Sequence, residues 1–217
     1  LFDIGDKYAE EVAHRFPDVQ RRGGGYNIDA LARLPNGTNN LAHLLVGSEG
    51  TLAYSERIQL HLSNLPSHKV LGVCHFPTFY AAMDSAQHIV KLGPSAVELV
   101  DRTMIELARD IPLFRDVIGQ IVVGQPDALL LVEFSGDDFD AQLQGLKQLQ
   151  ELMSDLGFSG GVTEALNPGF QKEIWEVRKS GLNIMMSMKG DGKPVSFIED
   201  CAVRLEDLAE YTRRLTE

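Results

Sequence analysis

The run Ala128-Leu129-Leu130-Leu131-Val132-Glu133-Phe134, with the leucines that follow it, decides the fold. A segment this short and this apolar reads as a buried strand. Leu143, Leu146, Leu149, Leu152, Met153 and Leu156 then recur at spacings of three and four, marking one face of a helix that Gly157 ends. Gly161 to Leu166 reads as a second strand. The same order stands upstream: a buried strand Val70-Leu71-Gly72-Val73-Cys74-His75-Phe76, a helix face of Phe79, Ala82, Met83, Ala86, Ile89 and Val90, and a strand Ala96 to Val100. Two strand-helix-strand units of similar length predict an α+β fold, a ferredoxin-like antiparallel sheet with helices on one face.

Working outward, Met104, Ile105 and Ala108 predict a short helix, whereas Leu113 to Gln125 fits either a helix or a strand. Asn167-Pro168 starts a helix on which Phe170, Ile174, Val177 and Gly181 share a face. Val195 to Ile198 reads as a late strand, and Leu205, Leu208, Tyr211 and Leu215 as a terminal helix. Toward the N-terminus, residues 2–16 have loose helical spacing that Pro17 stops. Arg21 to Asn27 is a glycine-rich turn, Leu41 to Val46 a helical turn, and Leu52 to Leu62 alternates as in a half-buried strand. Continuous core begins only after Pro66, so the reading divides the chain into residues 1–66 and 67–217.

Composition excludes several classes. The 217 residues are 44% hydrophobic and 24% charged, ordinary globular values. No apolar run approaches the roughly 20 residues that span a bilayer. A formal charge of −11 repels phosphate backbones and argues against nucleic acid. Cys74 and Cys201 form no CxxC pair, and none of the six histidines belongs to an HxH or HxxxH pair, so no metal-site spacing is present. A protein of the reducing cytoplasm is expected, and Asn36-Gly37-Thr38 is a sequon only formally. The chain opens Leu1-Phe2-Asp3 without an initiator Met and stops at Glu217 without a closing signal, which reads as an internal piece of a longer protein.

Gly47-Ser48-Glu49-Gly50-Thr51 places two glycines, a hydroxyl and a carboxylate in one tight loop. Taken alone it is either a plain turn with Ser48 bonding its own backbone or a nest of amides for an anion. Its surroundings, Asn40-Leu41-Ala42-His43-Leu44-Leu45-Val46 before it and Leu52 after it, form a string that resembles the N-L-x-x-L-L-V-G-S-E-G-T-L signature of FAD-linked oxidases of the vanillyl-alcohol oxidase superfamily. Gly25-Tyr26-Asn27-Ile28-Asp29-Ala30-Leu31 resembles the element that precedes it. Trp175 to Arg178, Met188 to Pro194 and Phe197 to Val203 resemble cap-domain segments of the same FAD/FMN-containing dehydrogenases, which include D-lactate and D-2-hydroxyglutarate dehydrogenases. Ala53 departs from the glycine the family often carries there.

The resemblance implies a flavin-domain tail in residues 1–66 and an incomplete cap or substrate domain in residues 67–217. It implies FAD contacts at Gly25, Tyr26, Gly47, Ser48, Glu49, Gly50 and Thr51. It also implies a small 2-hydroxy acid as substrate, with Arg178 on its carboxylate. A guanidinium fork suits that carboxylate, although an Arg at a helix edge also serves as a solvated cover. Lys193, beside the Gly190-Asp191-Gly192 turn, and Glu199 complete the substrate-binding candidates, and the catalytic base stays unassigned. The remaining N- and C-terminal parts of the same chain are the expected partners, and the piece by itself is expected to hold no flavin and to be inactive. Two other readings stand beside this one: a non-catalytic α+β interaction or dimerisation domain, and an alcohol- or phenol-oxidising flavin enzyme of the same superfamily.

Overall fold

The computed structural model describes residues 1–19, 24–32, 40–186 and 201–217. Its contacts divide into two compact units, residues 1–63 with 201–204, and residues 64–186 with 205–217.

The larger unit is built on four antiparallel strands, β1 (His68–Phe76), β2 (Ala96–Asp101), β3 (Ala128–Gly136) and β4 (Val162–Ala165), in the spatial order β2-β3-β1-β4. With α3 (Phe79–Ile89) joining β1 to β2 and α6 (Phe139–Asp155) joining β3 to β4, this is the ferredoxin-like arrangement. Each helix start has a local cause. The side chains of Thr78 and Asp138 accept from amides of the first turns of α3 and α6, satisfying donors that have no intrahelical partner.

Strand periodicity sorts the core into two layers. Val70, Cys74 and Phe76 of β1 join Leu130, Val132 and Phe134 of β3 on the face that α3 and α6 cover. Gly72 lies on that face too, and a Cβ there would stand 2.8 Å from Leu149 and 2.9 Å from Leu146, so α6 rests on bare backbone. Ala209 of α9 (Leu208–Thr216) adds to the same layer. Each fully buried leucine or isoleucine contributes about 1.5–3 kcal/mol.

The crossover helices share one face, as the sequence pattern predicts, and the opposite face is covered as well. There Leu71, Val73, Leu129 and Leu131 pack under α4 (Arg102–Asp110), α5 (Pro112–Ile121), α7 (Pro168–Lys179) and α8 (Gly181–Met186). The ambiguous stretch from Leu113 is thus mostly helix: Pro112 sits at its first turn, and Phe114, Val117, Ile118 and Ile121 bury one stripe. His75 ends this face as a satisfied residue, with Nδ1 3.0 Å from the Gly161 carbonyl and Nε2 2.8 Å from that of Ile121.

In the smaller unit, α1 (Phe2–Arg15) packs Gly5 against Leu31 of a 3₁₀ turn (Ile28–Leu31), and α2 (Ala42–Leu45) buries Leu44. The strand expected over Leu52 to Leu62 is absent. Alternation alone does not make a strand; a neighbour must supply hydrogen bonds, and no described residue does so. Tyr54 and Leu62 are more than nine-tenths exposed. The helix through Gly181 also needs correction, since α7 ends at Lys179 and α8 starts separately. The late strand expected at Val195 to Ile198 lies outside the described residues. Among the described residues no helix is long and apolar enough to cross a membrane.

Candidate functional site

Two places concentrate polar chemistry, one in each unit.

In the larger unit, α7 lies on the sheet at the end where β1 and β2 begin. Asn167 caps it by accepting from the amides of Gly169 and Phe170, and Pro168 occupies its first turn. Ile174 and Val177 bury its apolar stripe. Along the margin of that stripe, three polar side chains reach the sheet in succession. Gln171 Nε2 donates to the carbonyls of Lys69 on β1 and Ala165 on β4, at 3.0 and 2.8 Å. Trp175 Nε1 donates to Glu133 Oε2 on β3 at 3.0 Å. Arg178 Nη2 donates to Glu98 Oε2 on β2 at 2.9 Å. The order β4-β1, β3, β2 is the spatial order of the strands, so α7 crosses the sheet and meets one strand after another. Three residues of helix rise about 4.5 Å, close to the roughly 4.8 Å between strands, and the Trp175-to-Arg178 spacing matches that step.

Glu133 is the centre of this arrangement. It continues the inward alternation of Leu129 and Leu131, and its side chain is 9% exposed. A carboxylate there requires partners. Besides Trp175 it receives Lys69 Nζ at 3.0 Å and Ser95 Oγ at 3.1 Å on Oε1. Glu98 and Arg178 form a half-exposed pair, 43% and 39% accessible, and Arg178 Nε lies buried without a hydrogen-bond partner among the described residues. Beside these groups opens a cavity of about 590 Å³, whose walls include Lys69, Glu98, Glu133, Gln171, Lys172 and Trp175. Sequence reading found Arg178 and overlooked Glu98, Glu133 and Lys69. A charged residue at an inward position of each apolar strand run was the available signal.

In the smaller unit the glycine-bearing turn is built from backbone. Gly47, Glu49 and Gly50 have φ of 78°, 49° and 79°, and Glu49 is the one described non-glycine residue held in that region. The Ser48 amide donates to Leu45 and the Thr51 amide to Ser48, while the amides of Glu49 and Gly50 meet no protein acceptor among the described residues. Space is open where a Cβ would stand on Gly47 or Gly50. Ser48 is buried, and Thr51 Oγ1 bonds both the Ser48 carbonyl and Tyr26 Oη, the latter at 2.9 Å. Asn27 Nδ2 donates to the carbonyls of His43 and Val46 at 3.2 and 3.1 Å, tying the segment from Gly25 (φ 79°) to the turn. The structure thereby brings Tyr26, Ser48 and Thr51 together, with Gly25 one residue away from them. Lys193 and Glu199 lie outside the described residues.

No group of three or more His, Cys, Asp or Glu side chains with metal-site geometry occurs among the described residues.

Comparison with known proteins supplies the class. A D-2-hydroxyglutarate dehydrogenase of Pantoea ananatis is 30% identical over 94% of this chain and 21% of its own length, and that of Escherichia coli is 30% identical over 92% and 20%. The mitochondrial D-lactate dehydrogenase (cytochrome) of Arabidopsis thaliana is 32% identical over 81% of this chain and 29% of its own length. The chain thus spans about a fifth of the length of the D-2-hydroxyglutarate dehydrogenases it matches. Residues 65–217 match the family described as FAD linked oxidases, C-terminal domain. With a matched segment that takes in the whole sheet and every helix packed on it, the chain belongs to the FAD linked oxidases.

Proposed function

We propose that the full-length protein is a cytoplasmic FAD-dependent dehydrogenase that oxidises a small D-2-hydroxy acid to the 2-keto acid. Residues 67–217 serve as its cap or substrate domain, and residues 1–66 as the last part of its flavin domain. The observation that carries this reading is the placement of Arg178, on a helix anchored to the sheet strand by strand, in a domain whose relatives are named for D-2-hydroxyglutarate and D-lactate.

The residues at Gly47 to Thr51 fit a flavin nucleotide. Two amides without an acceptor among the described residues, positive φ and open space let a phosphate or ribityl oxygen approach the main chain. Ser48, Thr51 and Tyr26 supply hydroxyls, while Gly25, Gly47, Glu49 and Gly50 supply backbone. A flavin held there would supply the hydride-accepting chemistry for oxidation at C2 of the hydroxy acid. On the substrate side the Arg178 fork holds the carboxylate and so orients C2, with Lys193 and Glu199 as the further substrate contacts. The hydroxyl proton passes to a base that the residues described do not assign.

In the full-length protein, Arg178→Ala should raise KM for the hydroxy acid at least tenfold, on the order expected for losing one charge-assisted carboxylate contact. Unchanged kinetics would refute the role. The 217-residue chain produced alone should show no stoichiometric flavin absorbance, and a full flavin spectrum would contradict that expectation.

A further inference from the structure

The Arg178 fork is half filled by the protein itself. Its Nη2 donates to Glu98 Oε2, whereas Nε is buried and has no acceptor among the described residues. Glu98 therefore binds with one oxygen where a carboxylate binds best with two, and an N–H already removed from water stays unsatisfied. Both side chains are accessible to about two-fifths, and an ion pair this exposed is weak enough to be exchanged for a better partner. Glu98 also lines the cavity beside α7, whose walls carry Lys172 together with Lys69 and Lys179, the last two paired with Glu133 and Glu176, so a displaced carboxylate still faces lysines. Its neighbour Glu133 differs: nearly buried and fully bonded, it anchors Trp175 and is not free to move.

We propose that Glu98 is a displaceable counter-ion that sets selectivity at Arg178: it holds the guanidinium until a ligand carboxylate takes both teeth of the fork. The inference rests on Arg178 as the carboxylate site. It makes Glu98 a specificity-determining residue, because a neutral ligand cannot replace the charge it would displace. An uncharged amide of the same hydroxy acid is thereby rejected more strongly than the loss of its own contacts requires.

The test is Glu98→Gln and Glu98→Asp in the full-length protein, with D-lactate and D-2-hydroxyglutarate as substrates and D-lactamide as the neutral analogue. Pyruvate and 2-oxoglutarate binding, followed by calorimetry, gives a readout independent of turnover. Removing the competing charge should lower KM and the keto-acid Kd by about two- to fivefold, the size of an exposed ion pair. KM should change more than kcat, and discrimination against the amide should narrow. Glu98→Asp, one methylene shorter, should move the same quantities less in the same direction. Unchanged or higher KM and Kd in Glu98→Gln, with the melting temperature kept, would overturn the proposal. If Arg178→Ala raises KM and Glu98→Gln does nothing, only the role of Glu98 fails. If Arg178→Ala also does nothing, the carboxylate site fails with it.

Discussion

The two units of the molecule hold their candidate sites by different means. Around the sheet, two dense apolar layers support a few polar side chains at their margin, and each of those side chains is placed by a partner on a named strand. In residues 1–63, burial among the described residues is confined to Gly5, Leu31, Leu44 and Ser48, and the turn takes its shape from main-chain conformation. Chemistry done by side chains needs a rigid core beneath it, while chemistry done by amides needs only a few residues in the left-handed region and open space above them. The two sites should therefore fail in different ways.

The thiols give the largest contrast. Cys74 is fully buried in β1, and burial pushes its pKa up to about 12, so neither access nor thiolate is present at neutral pH. Cys201, grouped with the smaller unit, is exposed. Alkylation of native protein should modify Cys201 orders of magnitude faster than Cys74, which should react only after denaturation. Equal rates would break the comparison.

Next comes Glu133→Ala, which strands the Trp175 indole N–H and removes the Lys69 ion pair, while the Ser95 hydroxyl keeps the Glu133 carbonyl. Urea denaturation should show a loss of about 2–4 kcal/mol. Glu133→Gln keeps an acceptor for Trp175 and should lose less.

The same substitution made in each unit sharpens the contrast further. Gly72→Ala drives a Cβ against Leu146 and Leu149 and should cost about 1–3 kcal/mol by overpacking. At Gly50 space is open and only the positive φ resists, so Gly50→Ala should cost about 1 kcal/mol. Asparagine, which tolerates that conformation, should recover part of the loss at Gly50 and make matters worse at Gly72. Denaturation curves of the four variants decide between crowding and backbone strain.

The smallest effect lies on the surface of the larger unit. Hydrogen bonds from Arg213 and Arg214 lower the Glu210 pKa from 4.5 to about 2. A carboxylate depressed in the folded state stabilises above its unfolded pKa, and that contribution is lost as pH falls through the folded value. The helical signal of α9 should accordingly fray between about pH 4.5 and 2. The group lies on the surface with its side chain about half exposed, so the change is slight, and Glu210→Gln should remove it.

Much of the sheet unit was legible because its signals are local. Apolar runs with period two, leucines three and four apart, Asn167-Pro168 and Gly157 each specify an element from neighbouring residues alone. Leu52 to Leu62 shows where that logic stops, since its apolar residues recur mostly at spacing two, as in a strand, and no described residue pairs with it. Glu98 and Glu133 show a second limit. A carboxylate within an apolar strand is visible in the chain, but its partners on α7 are 80 and 42 residues away.

By itself, then, the sequence determined the strand-helix-strand order, the glycine-bearing turn and the family resemblance, because each depends on residues close along the chain. Only the tertiary structure decided that helices cover both faces of the sheet, that α7 meets the strands in their spatial order, and that Arg178 is held by Glu98. Those facts follow from which strand lies beside which, and that arrangement is set by packing the whole core rather than by any one segment.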